Sequence, residues 1–271
     1  METYHRGELQ AQRRAGVRDL AERVGRIIGP TIPAAAAAFL ARRTFVVTAT
    51  TASDGAVHAS IIGGIEGFAE ALNPTTIRLR PTNGDRQTIT RDLQTGGSIG
   101  LIAIDFATRR RMRVNGTAVV TGEVIILATR EVYSNCPQYI RPREEVTIGT
   151  GITTHAGQLD DSQIALMTSA DTFFIASAHP ERGADASHRG GEPGFVTASP
   201  STVSWLDFPG NNMFNTLGNL LVNDRCSLLF VDFTTGSTLR IDGHASIQWG
   251  QPRRIEIAVE SVVEHARRAG S

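Results

Sequence analysis

The side chains with the most chemistry lie in one stretch of the C-terminal half. Ser187-His188-Arg189-Gly190-Gly191-Glu192-Pro193-Gly194-Phe195 is followed by Asp207-Phe208-Pro209-Gly210-Asn211-Asn212-Met213-Phe214-Asn215-Thr216-Leu217-Gly218-Asn219-Leu220. An imidazole titrates near neutrality, so His188 is a candidate general acid or base, with hydrogen bonding to a bound ligand the favoured role. Pro209-Gly210 marks a turn. Asn212 and Asn215 are good N-cap residues for a helix over 214–222. A helix start presents free backbone N–H groups and a positive dipole end, which together suit a phosphate. The side chains of Asn211, Asn212, Asn215 and Thr216 add donors without charge. Arg189 or Arg240 supplies a cation whose fork matches phosphate oxygens. An ordinary turn and cap would use the same residue types; His188-Arg189 just upstream sets this stretch apart.

The other candidates carry less. Arg109-Arg110-Arg111-Met112-Arg113 could suggest nucleic acid, but it sits in a predicted hairpin without interleaved aromatics. A solvated turn with one inward or phosphate-facing arginine accounts for it. Cys136 precedes Pro137 with no base beside it in sequence, which argues against a nucleophile. Trp205 and Trp249 fall on strand candidates and read as packing residues.

Composition narrows the partner classes. The chain has 271 residues, with 27 basic against 27 acidic, so no strongly basic nucleic-acid surface is expected. No lysine occurs, so every basic residue is arginine, as base-composition bias would produce. Cys136 and Cys226 form no disulfide framework, and no Cys/His spacing fits zinc. The charged N-terminus is no signal peptide, and the longest apolar run, 32–41, is about half of a membrane span. A soluble, cytoplasmic protein acting on a small molecule is expected, with a homodimer as an option.

These residues need elements to hold them. Leu9, Val17, Leu20, Val24 and Ile27 recur at helical spacing over 5–28, and Gly29-Pro30 ends that run. Pro33 opens a second helix to Arg43. From Thr44 the chain turns β-branched, with strand candidates at 45–50, 57–62, 76–80, 98–105 and 111–120 and a helical stretch at 88–95. The pattern then recurs at an offset of 127. Across 105–118 and 232–245 six of fourteen positions are identical, where residue frequencies give roughly one. The chain therefore divides into a helical segment 1–43, a β-rich unit 44–125, a linker with helical pieces 126–171, clearest at 160–169, and a second unit 172–271. Short strands, glycine-rich turns and one short helix per unit predict a mainly β fold with some α: two tandem Greek-key split β-barrels. A fused pair has an internal pseudo-twofold interface, a favoured place for a ligand. The first unit has Ser60-Ile61-Ile62-Gly63-Gly64 where the second has the His-Arg pair.

The order Ser-His-Arg-Gly-Gly-Glu-Pro-Gly-Phe, then Phe-Pro-Gly-Asn-Asn-Met-Phe-Asn-Thr-Leu-Gly-Asn-Leu, then the Leu239-Arg240-Ile241-Asp242-Gly243 strand, resembles the pyridoxamine 5′-phosphate oxidase-like family of flavin-binding split barrels. Ala107 to Gly116 and Tyr133-Ser134-Asn135-Cys136-Pro137-Gln138-Tyr139-Ile140 are similar to elements of its tandem flavin-nucleotide-binding branch. The resemblance covers most of the chain, from about His5 to Ile247. It implies FMN bound between the two units. Ser187, His188, Arg189 and Gly190 would run beside the flavin ring, and Asn211, Asn212, Asn215 and Thr216 would take the phosphate. Asn135, Cys136, Gln138 and Tyr139 would approach the ring from the partner unit. One departure is Gln138, where the branch carries lysine; the missing cation would weaken flavin binding or alter the substrate. The implied activity is an FMN-dependent oxidoreductase working by hydride transfer. The alternatives are a non-catalytic flavin or haem carrier and a deazaflavin-dependent reductase. A true pyridoxamine phosphate oxidase is disfavoured, because no second phosphate-binding set for a substrate can be identified.

Overall fold

The computed structural model describes residues 3–134, 137–144, 147–149 and 151–267. Three helices precede the first strand: α1 (Arg6–Arg14), α2 (Arg18–Gly25) and α3 (Ala34–Ala41). The single helix expected over 5–28 is in fact α1 and α2. Gly16 sits between them at φ +69°, a conformation glycine adopts without a Cβ penalty.

The first unit contributes β1 (Phe45–Thr51), β2 (Val57–Gly63), β3 (Ala69–Asn73), β4 (Thr76–Leu79), β5 (Asn83–Gly84), α4 (Arg86–Asp92), β6 (Gly97–Asp105), β7 (Arg110–Thr121) and β8 (Val124–Ser134). Its sheet runs β3-β4-β8-β7-β6-β1-β2-β5, antiparallel throughout. The chain continues through β9 (Gly151–Ala156), α5 (Asp161–Ser169), β10 (Thr172–His179), β11 (Gly183–Gly190), β12 (Val196–Ser199), β13 (Thr202–Leu206), α6 (Asn215–Leu220), β14 (Arg225–Val231), β15 (Thr238–Gln248) and β16 (Arg254–Arg267). The second sheet runs β11-β10-β14-β15-β16-β13-β12, with β9 added along β16. Read in that order, it repeats the first sheet's β2-β1-β6-β7-β8-β4-β3. Each is an open, curled antiparallel half-barrel, and the fold is mainly β of the split-barrel kind.

The correspondence extends to irregularities. The β7–β8 ladder slips between Asn115 and Gly116, and the β15–β16 ladder slips between Asp242 and Gly243. A Cβ at Gly116 would run into the Ala128 carbonyl, and one at Gly243 into that of Ala258, so each bulge needs glycine. The bulge also explains a misreading. Residues 126–134, expected to open a helical linker, are all but the first two residues of β8. Ile125 and Leu127 are buried before the slip, Val132 and Tyr133 after it, so the two-residue alternation breaks mid-strand. Of the expected helical pieces, 160–169 is α5, capped by Asp160, whose carboxylate accepts from the Gln163 N–H at 2.8 Å.

Each half-barrel has its own apolar core, around Leu40, Ile77 and Val114 in the first unit and Phe173, Trp205 and Ile241 in the second. A third core joins them, where Phe45, Ile102 and Phe106 meet Phe174, Ala186 and Leu229. Strands β1 and β10 are therefore buried on both faces, and their sequences are apolar or small at nearly every position. This joint brings the edge strand β11 against β6 and β7 of the other unit.

Candidate functional site

A cleft opens where β11, the loop after β13 and the start of α6 face β7 of the first unit. It encloses about 880 Å³ measured out to its open mouth. Its lining gathers Ser187, His188, Arg189 and Gly190 from β11, Asn211, Asn212, Asn215 and Thr216 from the loop and α6, and Tyr139 from the segment between the units.

Strand β11 supplies the polar wall. Arg189 donates from Nη1 to Ser187 Oγ at 2.8 Å and to the His188 carbonyl at 3.1 Å. It has no ion pair among the described residues. Burial pulls its guanidinium below the ordinary value, with Asp207 opposing. Arginine nevertheless stays protonated, so the cleft holds a cation short of a counterion. His188 is 5% exposed, flanked by Phe174 and Phe106 at ring distances of 5.7 and 6.4 Å. Its Nδ1 lies 2.8 Å from Arg111 Nη1. Arginine can only donate, so Nδ1 accepts and the ring proton sits on Nε2. Burial, reinforced by Arg111, Arg189 and Arg143, holds His188 well below its usual pKa. It is a neutral donor whose lone pair is engaged, which suits ligand contact better than base catalysis.

The loop carries backbone strain and is held by one ion pair. Asp207 accepts from Arg253 Nε at 3.0 Å and Nη2 at 2.9 Å. Asn212 and Phe214 both have positive φ, at +60° and +64°. Asparagine tolerates that region, whereas for a bulky aromatic it is an outlier of the kind that clusters at binding sites. The helix cap differs from expectation. The cap position is Phe214, which gives no side-chain cap, and Asn211 Oδ1 accepts from the Met213 N–H at 3.1 Å. At the mouth Tyr139 stacks on Phe208 at 5.6 Å and donates to the Pro209 carbonyl at 2.9 Å.

Several cleft donors are left over. His188 Nε2, Arg113 Nε and Trp205 Nε1 are buried without a hydrogen-bond partner among the described residues. All three are N–H groups, so the unfilled wall calls for an acceptor-rich or anionic ligand.

Not every expected residue is here. Arg240 is 5% exposed and lies away from the cleft, bonded to Asp85 at 3.0 Å, Thr88 Oγ1 at 3.1 Å and Asp242 at 3.3 Å. Its charge is already matched, and it faces the first unit's helix α4. Gln138 is exposed and outside the lining. Asn135 and Cys136 lie outside the described residues. The sequence reading missed Arg111, Arg113, Asp207 and Arg253 as site residues. The two-residue spacing of Arg111 and Arg113 on a strand was the available signal: two arginines of the run face inward, where one was expected. Arg113 is buried and ion-paired to Asp185. Among the described residues no cluster of three or more His, Cys, Asp or Glu could hold a metal, and no helix is long and apolar enough to cross a membrane.

No family model and no curated protein matches the chain. Solved structures do. One is a Lactobacillus delbrueckii protein provisionally named a pyridoxamine 5′-phosphate oxidase, at 13% identity, TM-score 0.33, over 39% of this chain and 93% of that one. Another is the FAD-binding protein of Mycobacterium smegmatis, at 12% identity, TM-score 0.30, over 43% of this chain and 100% of that one. A third is the haem-storage protein HutZ of Vibrio cholerae, at 12% identity, TM-score 0.29, over 38% and 92%.

Proposed function

We propose that the chain is an FMN-binding flavoprotein that holds one flavin in the β11 cleft and acts as an oxidoreductase on a small organic molecule. The observation that carries this reading is the cleft's surplus of donors: an arginine without an ion pair and three N–H groups without a partner among the described residues, beside an amide-rich loop. A flavin mononucleotide has the matching parts, a ring edged with acceptors and a terminal phosphate dianion. Arg189 and the side chains of Asn211, Asn212 and Thr216 would hold the phosphate end. His188 Nε2, with its ring fixed by Phe174 and Arg111, would donate to the ring end. The Tyr139–Phe208 pair would screen the mouth from water, which strengthens each polar contact inside. Bound FMN would supply two-electron hydride chemistry. The chain's own part is then binding, orientation and electrostatics. Cys226 offers no nucleophile, because burial pushes its thiol far above the usual value.

The test is an absorption spectrum of the purified protein before and after addition of FMN. Oxidised-flavin bands that co-elute with the protein and shift on binding are expected. A Soret band would favour a haem carrier, and a protein that takes up no FMN would sink the reading. Mixing the reduced flavoprotein with candidate acceptors then separates enzyme from carrier: an enzyme is reoxidised faster by its acceptor than by oxygen.

A further inference from the structure

Behind the cleft, α1 lies hard against α6. A Cβ on Gly7 would strike the Gly218 carbonyl, and one on Gly218 would strike Glu8. Glu8 is thereby pressed inside, at 4% exposure. Its Oε1 accepts from Asn215 Nδ2 at 2.7 Å, and its Oε2 accepts from the His5 backbone N–H at 2.8 Å. Both donors are neutral. The His5 ring is 3.4 Å from Oε2, but its Nδ1 accepts from the Gly7 N–H and its Nε2 bonds Asn219 Oδ1 at 3.0 Å. Burial and the neighbouring His179 pull His5 down to about 4, so it is uncharged near neutral pH. Glu8 is thus a buried carboxyl without a cationic partner among the described residues.

The groups facing it carry both signs, and each arginine among them has a carboxylate of its own nearby. Across a small polar cavity stand Glu131 from β8, Asp185 from β11 and Arg182 from the turn before β11. Asp185 is matched by Arg113 of β7, while Glu131 lies 3.8 Å from both Arg130 and Arg182. Tyr133 of β8 is buried and unionised, and α6 presents only the amides of Asn215 and Asn219. Asn215 lines both this cavity and the cleft, so one amide separates Glu8 from whatever the cleft holds.

We propose that Glu8 is a positioning residue that acts on the cleft through Asn215, and that an anionic ligand binds there together with a proton on Glu8. The inference rests on reading the cleft as the site of an anionic cofactor. A carboxylate behind Asn215 and a phosphate in front of it repel through a poorly screened interior. A proton on Glu8 removes the repulsion and leaves Oε1 free to accept from Asn215. Burial pushes the Glu8 carboxyl up to about 8; the His5 N–H bond opposes this, Glu131 and Asp185 add to it, and Arg182 opposes it. The proton is therefore exchangeable close to neutral pH.

The experiment titrates FMN, with riboflavin as the phosphate-free control, into the wild type and Glu8→Gln from pH 7 to 9.5. Wild-type affinity for FMN is expected to fall about fivefold relative to riboflavin over that range. Glu8→Gln keeps an oxygen for Asn215 but cannot ionise, so its FMN affinity is expected to stay flat. The wild type alone gives a second measure: calorimetry at pH 8.5 in buffers of different ionisation heat should register proton uptake on binding FMN. Equal pH dependence in both proteins, or no proton uptake, would overturn the inference while leaving the flavin reading intact. Absence of FMN binding at every pH would overturn both.

Discussion

Two places in the molecule are built on the same plan and end up with opposite character. The 127-residue offset sets Arg113 against Arg240, Ser187 against Ser60, His188-Arg189 against Ile61-Ile62, and Asn212 against Asp85. In the first unit's version the place that corresponds to the β11 cleft is filled by the protein itself. The Asp85 carboxylate accepts from Arg240 at 3.0 Å, from Ser60 Oγ at 3.2 Å and from the Thr88 N–H that starts α4 at 3.1 Å. Ile61 and Ile62 are fully buried in apolar cores. In the β11 cleft Asn212 and Asn215 stand where the first unit has Asp85 and Thr88, α6 has no side-chain cap, and Arg189 adds a charge with no ion pair among the described residues. The region behind the helix is inverted as well. Thr50 and His58 both bond Asp92 at 2.7 Å; burial works against its ionisation, but these bonds hold Asp92 below the usual carboxylate range. Behind α6 stands Glu8 with neutral donors and a raised pKa. The Asp85 carboxylate in place of the Asn212 amide, together with Ile61-Ile62 in place of His188-Arg189, closes the first unit's version into an ion-pair cluster.

The largest effect should come from undoing that closure. Asp85→Asn leaves Arg240 with Asp242 as its one carboxylate among the described residues, and loss of one partner of a buried pair costs about 3–5 kcal/mol. The unfolding free energy from urea denaturation should drop by that amount, lowering the midpoint, and added phosphate should restore part of it. An unchanged midpoint would show that Asp85 does not neutralise Arg240.

The next effect concerns pH. A carboxyl raised from 4.5 to about 8 contributes its full stability below pH 4.5 and loses it as pH rises toward 8. Of order 4–5 kcal/mol should be lost across that window in the wild type and spared in Glu8→Gln. Parallel stability profiles would show that Glu8 ionises freely in the fold.

A smaller effect separates the two arginines. Arg189→Met removes a hydrogen-bonding cation, worth about 2 kcal/mol, so FMN should bind about 30-fold more weakly with little change in melting. Arg240→Met should destabilise the fold and leave FMN affinity unaltered. Equal losses of affinity would place the phosphate at the interface between the two sites.

What the sequence made readable was local. The strands at 57–62 and 98–105, α5 behind Asp160, and the second-unit motif were all visible from spacing and residue type. The offset between Arg113 and Arg240 was visible too, but not what each arginine meets. Arg113 finds Asp185, 72 positions away, and Arg240 finds Asp85, 155 positions away. Glu8 reaches Asn215 across 207 positions, a pairing set only when α1 docks on α6. The weak strand β3, Ala-Glu-Ala-Leu-Asn, escaped notice because its pairing with β4, not its composition, makes it a strand. The Phe214 cap was missed for a similar reason. Asparagine is the better cap by type, and only the packed loop forces the aromatic into that position.

One of the two equivalent places is open and the other is sealed from within. Titration of the ligand-free wild type with FMN, followed by flavin fluorescence quenching against a known protein concentration, addresses it directly. Saturation is expected at one FMN per chain. Saturation at two, or no quenching at all, would contradict it.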